Sequence, residues 1–342
     1  MKRILVSGLL SCLVQSVAFC QGQGPLFDLQ KVADGVYAAI ARPQYRVNSN
    51  AAVIINDDGV LVVDTHNRPS ASRALIEEIK KITDKPVRYV VNTHFHADHT
   101  RGNQSYPSAF PRDVTIISSE TTRELLISQG IPSIKQSLDQ APAEIEALKK
   151  RLAAETNTEM RRSLQSDLAQ AEDYLQELRS MEIVLPDLTF DKSLILHKKN
   201  RDIYILFLGR GHTAGDAVVY LPRERVVATG DLLHGWWPYM ADSYPTEWLE
   251  TLSKLAALDF DRVIGGHGSV KPKSHLAFFR GCIADLITET RKAVQTGETL
   301  EEARKSVPAA LAPKCEAGMG EFSRYVGSGV QKVFKDLEAK RY

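Results

Sequence analysis

The chain has 342 residues, of which 43% are hydrophobic and 25% are charged, values typical of a globular protein with a core of ordinary size. The 43 Lys and Arg residues oppose 42 Asp and Glu residues, and no basic block could neutralise a row of phosphates, which excludes nucleic acid as a partner. Beyond the N-terminus no apolar run approaches the ~20 residues that cross a bilayer, which excludes an integral membrane fold.

The N-terminus predicts a secretory signal peptide over residues 1–22. Lys2 and Arg3 precede an apolar run from Ile4 to Phe19, and Ser16-Val17-Ala18 has the small residues of a cleavage site. We therefore expect a mature domain over residues 25–342 that is periplasmic or secreted, with no membrane association once the signal is removed. A retained N-terminal anchor is the alternative.

Only two cysteines follow the predicted signal peptide. These residues, Cys282 and Cys315, permit one disulfide in an oxidising compartment but do not require it.

The hydrophobic pattern predicts strands that alternate with helices in both halves of the chain. The predicted strands cover residues 36–40, 51–55, 60–63, 87–91, 114–117, 203–208, 217–221, 225–228 and 262–264. The predicted helices cover residues 69–81, 119–128 and 246–258, with a helical region from 272 onward. This alternation favours an α/β sandwich with polar turns at the strand ends available for a site.

A segment at about 136–182, between the two halves, predicts a helical hairpin. Its apolar residues recur at spacings of three and four on a charged background. The stretch Thr156-Asn157-Thr158-Glu159 interrupts this pattern and fits a capping box at the start of the second helix. The insertion could be a lid over a site, an arm that forms a homodimer, or a solvated element that stiffens the surface.

The richest chemical motif lies directly after the predicted strand at 87–91. His94, His96, Asp98 and His99 place four potential metal ligands within six residues. These side chains can converge only if the backbone turns there, as a metal site requires and a packed core does not.

Three further residues occur in matching contexts later in the chain. His212, Asp231 and His267 each follow a predicted strand and have glycine neighbours, which let the backbone turn sharply. The seven residues together offer five imidazoles and two carboxylates. This set suits two divalent metal ions, zinc above all, although iron or manganese could bind the same ligands. Two such ions could share a water and lower its pKa toward ~7.

The order and spacing of these motifs resemble those of the metallo-β-lactamase-fold hydrolase superfamily, over about residues 31–290. The resemblance implies an αββα sandwich, here with the helical hairpin as an extra element. It also implies a first metal held by His94, His96 and His212, and a second held by Asp98, His99 and His267. Asp231 would bridge the two metals, as in glyoxalase II-like thioesterases and lactonases. Asp98 would in addition orient the attacking water or receive its proton.

Three further features depend on this resemblance. Family members commonly place an aspartate that supports a ligand where Asp64 ends a strand; a turn cap is the alternative. His234 stands where related lactonases have a tyrosine beside the reacting carbonyl, so it is a candidate proton donor, with an ordinary loop histidine as the alternative. The aromatic loop at 235–240 would form an apolar wall for a substrate or else cover the core. His66, His197 and His275 lack such motifs and are interpreted as structural or surface residues.

The leading hypothesis is a secreted dinuclear zinc hydrolase that cleaves an ester, thioester, lactone or amide bond of a small molecule. A divergent β-lactamase stays open, as does an iron-dependent sulfur oxidoreductase of the same fold. A noncatalytic metal-binding protein is the third class, and the seven intact ligands disfavour it.

Overall fold

The computed structural model describes residues 25–42, 47, 49–111 and 114–339, which form two stacked sheets with helices on both outer faces. The predicted signal peptide lies outside the described residues. Within the described part of the chain, no helix has the length and apolar character needed to cross a membrane.

The first sheet has seven strands, which follow one another in chain order. The strands are β1 (Phe27–Ala33), β2 (Val36–Ala41), β3 (Ala51–Ile55), β4 (Val60–Val63), β5 (Val87–Val91), β6 (Thr115–Ser119) and β7 (Leu188–Phe190). Strands β1 to β4 form an antiparallel meander, whereas β4 to β7 pair in parallel. The parallel strands β5 and β6 therefore end at the same edge of the sheet.

The second sheet has six strands in the order β13-β12-β11-β10-β9-β8. The strands are β8 (Ser193–His197), β9 (Asp202–Phe207), β10 (Ala217–Leu221), β11 (Val226–Gly230), β12 (Arg262–Gly265) and β13 (Lys271–Pro272). Strands β11 and β12 are parallel, so the turns after them emerge side by side. The described helices are α1 (Pro69–Ile82), α2 (Ala97–Thr100), α3 (Ser105–Ala109), α4 (Glu120–Leu125), α5 (Ile131–Ala154), α6 (Thr158–Arg179), α7 (Pro245–Ala256), α8 (His275–Thr296), α9 (Leu300–Cys315) and α10 (Phe322–Ala339).

The hydrophobic core has three layers, which confirm the predicted αββα sandwich. Side chains from both sheets, such as Leu61 and Ile205, pack between the sheets. Helix α1 buries Leu75 and Ile79 against the outer face of the first sheet. Helices α7 to α10 cover the second sheet with a layer that includes Trp248.

Strands β1, β7, β8 and β13 were not predicted, and each lies at an end of its sheet. Along β8 every second side chain is exposed and the others are only half-buried. Strand β7 has three residues, and β1 interleaves polar residues with its apolar ones. Such segments lack the continuous apolar run that indicates a central strand.

The predicted helical hairpin is present, but it begins earlier and its second helix is capped differently. Helix α4 continues through a π-helical turn over Leu126–Gly130 into α5, so the insertion starts near residue 131. Helix α6 is capped by Asn157, whose Oδ1 accepts hydrogen bonds from the backbone N–H groups of Glu159 and Met160 at 3.0 Å. The predicted capping box at Thr156 is therefore wrong, because the asparagine one residue later supplies the cap.

The apolar stripe of the hairpin is buried within the hairpin itself. Ile145 and Leu148 of α5 pack against Leu164 and Ala171 of α6. The base of the hairpin is attached to the domain through Arg101, a buried residue whose guanidinium donates to Tyr174 and to the hydroxyls of two serines near the start of α5. The hairpin is thus joined to the segment that follows the first histidine motif.

The two cysteines that follow the predicted signal peptide form a disulfide. The bond between Cys282 and Cys315 joins the middle of α8 to the end of α9, and both residues are fully buried. It fixes the helical layer that covers the second sheet.

Candidate metal centre

The first histidine motif begins where β5 ends. The backbone N–H and the hydroxyl of Thr93 both donate to the Asp64 carboxylate at 2.8 Å, which fixes the turn before the first ligand. Asp64 itself has a φ of 66°, a left-handed backbone that a non-glycine residue rarely adopts. Such strain is typical of functional sites.

Three histidines bring one ring nitrogen each to a common point. The Nδ1 atom of His96 lies 3.2 Å from Nε2 of His94 and 2.9 Å from Nε2 of His212. The Oδ2 atom of Asp231 lies 3.4 Å from the same His212 nitrogen. These four residues form one group whose ligand atoms could hold a metal ion.

A second group lies beside the first. The Oδ2 atom of Asp98 is 3.7 Å from Nε2 of His99 and 3.5 Å from Nε2 of His267. These three atoms could hold another ion. All seven residues predicted as metal ligands are therefore brought together by the fold.

Asp231 lies between the two groups. Its Oδ1 atom is 3.4 Å from Nε2 of His99, while its Oδ2 atom is 3.2 Å from Nε2 of His267 and 3.4 Å from Nε2 of His212. Its carboxylate therefore faces both groups, as a bridging ligand must.

The chemistry of the donor atoms fits a metal centre. His99 Nε2 and Asp231 Oδ1 are buried and have no hydrogen-bond partner among the described residues, a costly arrangement unless a cation binds them. Burial opposes protonation of His99, but the carboxylates of Asp231, Asp98 and Asp64 outweigh it and raise its pKa to about 10. The centre thus has a local excess of negative charge that favours cations.

Two glycines allow the ligands to approach one another. Gly266 precedes His267, and a Cβ atom at this position would overlap the Asp231 carboxylate. Gly230 precedes Asp231 with a φ of 50°, and a Cβ atom there would overlap Thr93. A larger residue at Gly266 would displace a ligand, and one at Gly230 would displace the threonine that precedes the first ligand, which explains the glycines beside these motifs.

Two carboxylates orient the ring nitrogens that face away from the centre. His99 Nδ1 lies 2.8 Å from Oδ2 of Asp64, as expected for a supporting aspartate. His96 Nε2 lies 3.0 Å from Oδ2 of Asp242. Such contacts fix the ring orientation and the tautomer of a ligand histidine. Asp242 was not predicted from the sequence, because it belongs to no ligand motif and lies 146 residues from His96.

Asn50 is a second residue that the sequence analysis missed. Its amide nitrogen donates to the carbonyl oxygens of Gly265 and Gly268 at 2.9 and 2.8 Å, and its Oδ1 accepts from the Ala41 backbone N–H at 3.0 Å. It therefore fixes the loop that carries His267 to the first sheet. Its place at the start of a strand gives no local signal of this role.

His234 is a buried loop residue that lies beside His267 and lines the cavity described below. Its Nδ1 accepts a hydrogen bond from the Trp236 backbone N–H at 3.3 Å, and its ring centroid is 5.2 Å from that of His267. Burial lowers the pKa of His234 to about 3. A neutral ring whose Nδ1 is an acceptor carries its proton on Nε2, which has no partner among the described residues.

A cavity of about 340 Å³ opens onto the centre. It is lined by His96, Ala97, Asp98, His212, Asp231, His234, Trp236, Trp237, Tyr239, Asp242, His267 and Tyr325. The half-buried Trp236 and exposed Tyr239 line the cavity, whereas Trp237, which also borders it, is buried in the core. The lining includes Tyr325 of α10 and no described residue of the hairpin.

A family model, described as the metallo-beta-lactamase superfamily, matches residues 45–267 of this chain. The match covers more than half of the chain and includes all seven residues of the centre. The chain therefore belongs to the metallo-beta-lactamase superfamily.

Two relatives are similar to this chain in sequence, and both are hydrolases by name. A linear primary-alkylsulfatase from Pseudomonas sp. (strain ATCC 19151) is 26% identical over 268 residues, which span 72% of this chain and 47% of the alkylsulfatase. A metallo-beta-lactamase type 2 from Bacillus sp. (strain 170) is 25% identical over 236 residues, which span 67% of this chain and 70% of that protein. This chain thus matches about half the length of the alkylsulfatase.

The fold is also similar to that of a solved structure. A metallo-beta-lactamase from Pontibacter korlensis superposes with a TM-score of 0.54 at 19% sequence identity, covering 75% of this chain and 99% of that structure. The similarity shows the shared fold.

Proposed function

We propose that this protein is a secreted dinuclear zinc hydrolase that cleaves an ester, thioester, lactone or amide bond of a small molecule. The observation that carries the proposal is the position of Asp231, whose two carboxylate oxygens face two adjacent groups of ligand atoms. The cavity of about 340 Å³ is at the lower end of the range for small-molecule sites.

In this proposal one ion would be held by His94, His96 and His212, the other would be held by Asp98, His99 and His267, and Asp231 would serve both. Two divalent ions would supply a hydroxide nucleophile near neutral pH and polarise the scissile carbonyl. The remaining steps belong to side chains of this chain.

Asp98 would orient the attacking water and receive its proton. Its side chain is 23% exposed, and it lines the cavity, so it can contact a bound water. His234 would donate a hydrogen bond from Nε2, because the Trp236 N–H occupies its Nδ1. A neutral donor of this kind stabilises negative charge that develops on a substrate oxygen.

The name of each relative supports one alternative substrate class. The alkylsulfatase favours cleavage of a sulfate ester, and the β-lactamase favours cleavage of a lactam. Export is supported by the signal-like N-terminus and by the disulfide, a bond typical of oxidising compartments.

The proposal is tested by zinc loading and a substrate panel. Metal-free protein receives two equivalents of zinc and is assayed with a chromogenic aryl ester, thioester, lactone and lactam and with an alkyl sulfate. We expect hydrolysis of a carboxyl-type substrate, reduced by a factor of about 100 or more in Asp98→Asn. The matched control is Asp202→Asn, which alters a surface aspartate paired with His197. Cleavage of the sulfate alone, or of none of the substrates, would contradict the proposal.

A further inference from the structure

Two tyrosines from distant parts of the chain meet at the mouth of the cavity. Tyr239 follows the Asp231 motif, and its ring centroid is 6.2 Å from that of His96. Tyr325 belongs to α10, and its ring centroid is 6.4 Å from that of Tyr239, in an edge-to-face arrangement. Both side chains line the cavity.

The rings are available to a ligand. Tyr239 is 45% exposed, although most aromatic side chains of the described residues are buried or half-buried. An exposed aromatic residue beside a concave polar centre is typical of a surface that contacts a substrate. A molecule bound next to His96 would lie within reach of the Tyr239 ring.

The backbone holds the two rings in place. The loop before Tyr239 is bonded to the segment before α10, since Trp237 N–H donates to the Gly320 carbonyl at 2.8 Å and Gly320 N–H donates to that of Gly235 at 3.0 Å. Met240 N–H donates to the Ser328 hydroxyl at 3.1 Å. The pair is therefore preorganised, which reduces the entropy lost when a ligand binds.

The faces of the two rings offer an apolar surface to a ligand. The carboxylates of Asp98 and Asp231 would be occupied by the proposed ions, and the guanidinium of Arg324 lies 5.1 Å from the centroid of the Tyr325 ring. Among the described residues that line the cavity, none is Lys or Arg. An anionic tail would therefore lose hydration against the rings without gaining an ion pair in the lining, a cost that an uncharged apolar group does not have.

We propose that Tyr239 and Tyr325 form a specificity subsite for an uncharged apolar group, such as an aromatic ring, attached to the scissile carbonyl. The inference rests on the proposed function for the identity of the reacting bond. The subsite itself depends only on the aromatic pair and on its distance from the ligands.

The test uses hydroxamates, which keep one metal-binding group while the tail changes. Acetohydroxamate, 2-phenylacetohydroxamate and succinohydroxamate carry a methyl, a benzyl and an anionic carboxyethyl tail. Calorimetric titration of zinc-loaded protein should show the benzyl tail bound about tenfold more tightly than the methyl tail, the ratio expected when part of one ring is buried. The anionic tail should bind no more tightly than the methyl tail.

Tyr325→Ala and Tyr239→Ala should each reduce the preference for the benzyl tail, whereas Tyr325→Phe should keep it because the ring remains. The matched control is Tyr204→Ala, because Tyr204 and Tyr220 form a similar pair at 6.3 Å on the second sheet, away from the cavity lining. Thermal unfolding establishes that each variant folds. Because Tyr239 lies in a loop, its substitution does not perturb a helix.

A second readout separates the subsite from the proposed function. Metal-free protein is titrated with benzyl alcohol, an uncharged ring without a metal-binding group, and binding is followed by saturation-transfer NMR. Saturable binding that Tyr325→Ala removes would support the subsite even if the substrate panel shows no hydrolysis. The proposal is overturned if the tyrosine substitutions change the binding of neither the hydroxamates nor benzyl alcohol, or if the anionic tail is preferred.

Discussion

The Nε2 atom of His96 lies 3.0 Å from the Oδ2 atom of Asp242, whereas the Nδ1 atom of the same ring faces the other ligand atoms. The contact joins the first ligand motif to the loop that forms one wall of the cavity. The contact explains why Nδ1 is the nitrogen that faces the proposed metal. The carboxylate accepts a hydrogen bond from the N–H at Nε2, which leaves Nδ1 unprotonated.

Asp242→Ala should weaken metal binding by the His94, His96 and His212 group about 10- to 100-fold, while the other group is affected much less. Titration of metal-free protein with Co²⁺, followed by visible absorption, measures the two steps separately. Asp202→Asn again serves as the surface control. Equal weakening of both steps, or of neither, would show that Asp242 does not position His96.

Shortening the hairpin should leave the centre unchanged, since no described hairpin residue lines the cavity. Replacing residues 150–162 by a short Gly/Ser linker keeps Arg101 with its partners and the apolar cluster of Ile145 and Leu148, so the base of the hairpin stays attached. We expect unchanged metal content, KM and kcat for a small substrate.

A raised KM in the shortened protein would instead indicate a lid. The solution mass of the same variant tests the predicted homodimer, which should be lost if the hairpin is the dimerisation arm.

Reduction of the disulfide should lower the free energy of unfolding by about 3–4 kcal/mol, because the bond closes a loop with a sequence separation of 33. Denaturant unfolding with and without a thiol reductant measures the effect under conditions that reduce the unfolded chain. The double variant Cys282→Ala/Cys315→Ala is the control and should not respond to reductant. A parent protein whose free energy of unfolding is the same with and without reductant would contradict the disulfide.

His66 should make the fold less stable as the pH falls below about 6.5. Burial holds its pKa at about 3, and its Nδ1 lies 3.0 Å from the Ser49 carbonyl oxygen. Between pH 6.5 and about pH 3 the His66 ring takes up a proton in the unfolded chain but not in the folded chain. The free energy of unfolding therefore decreases as the pH falls through this range. His66→Asn, which tolerates the left-handed backbone at this position, should remove about 1.5 kcal/mol of the stability loss between pH 6.5 and 5.

Denaturant unfolding of the metal-free proteins at several pH values gives this comparison. His197→Asn is the control, since that histidine is exposed and pairs with Asp202. A parent and a His66→Asn variant with parallel pH profiles would contradict a neutral buried His66.

The sandwich and the seven clustered residues were predictable because each depends on a local pattern. Strand β4 is a continuous apolar run, and each ligand motif follows the end of a strand, the last three with glycine neighbours. Asp242 and Asn50 were not predictable, since an isolated polar residue gains its role only from a partner that the fold brings near. Tyr325 could not be assigned to the cavity for the same reason, because only the packing of α10 against the 235–240 loop places it there.

The number of metal ions per chain tests the central claim most directly. Elemental analysis of protein purified without chelator and supplemented with zinc should approach two equivalents, because the seven ligands exceed what one tetrahedral ion can use. Asp231→Ala should lower this value, since its carboxylate faces both groups. A parent protein that stays near one equivalent after supplementation would contradict the dinuclear centre.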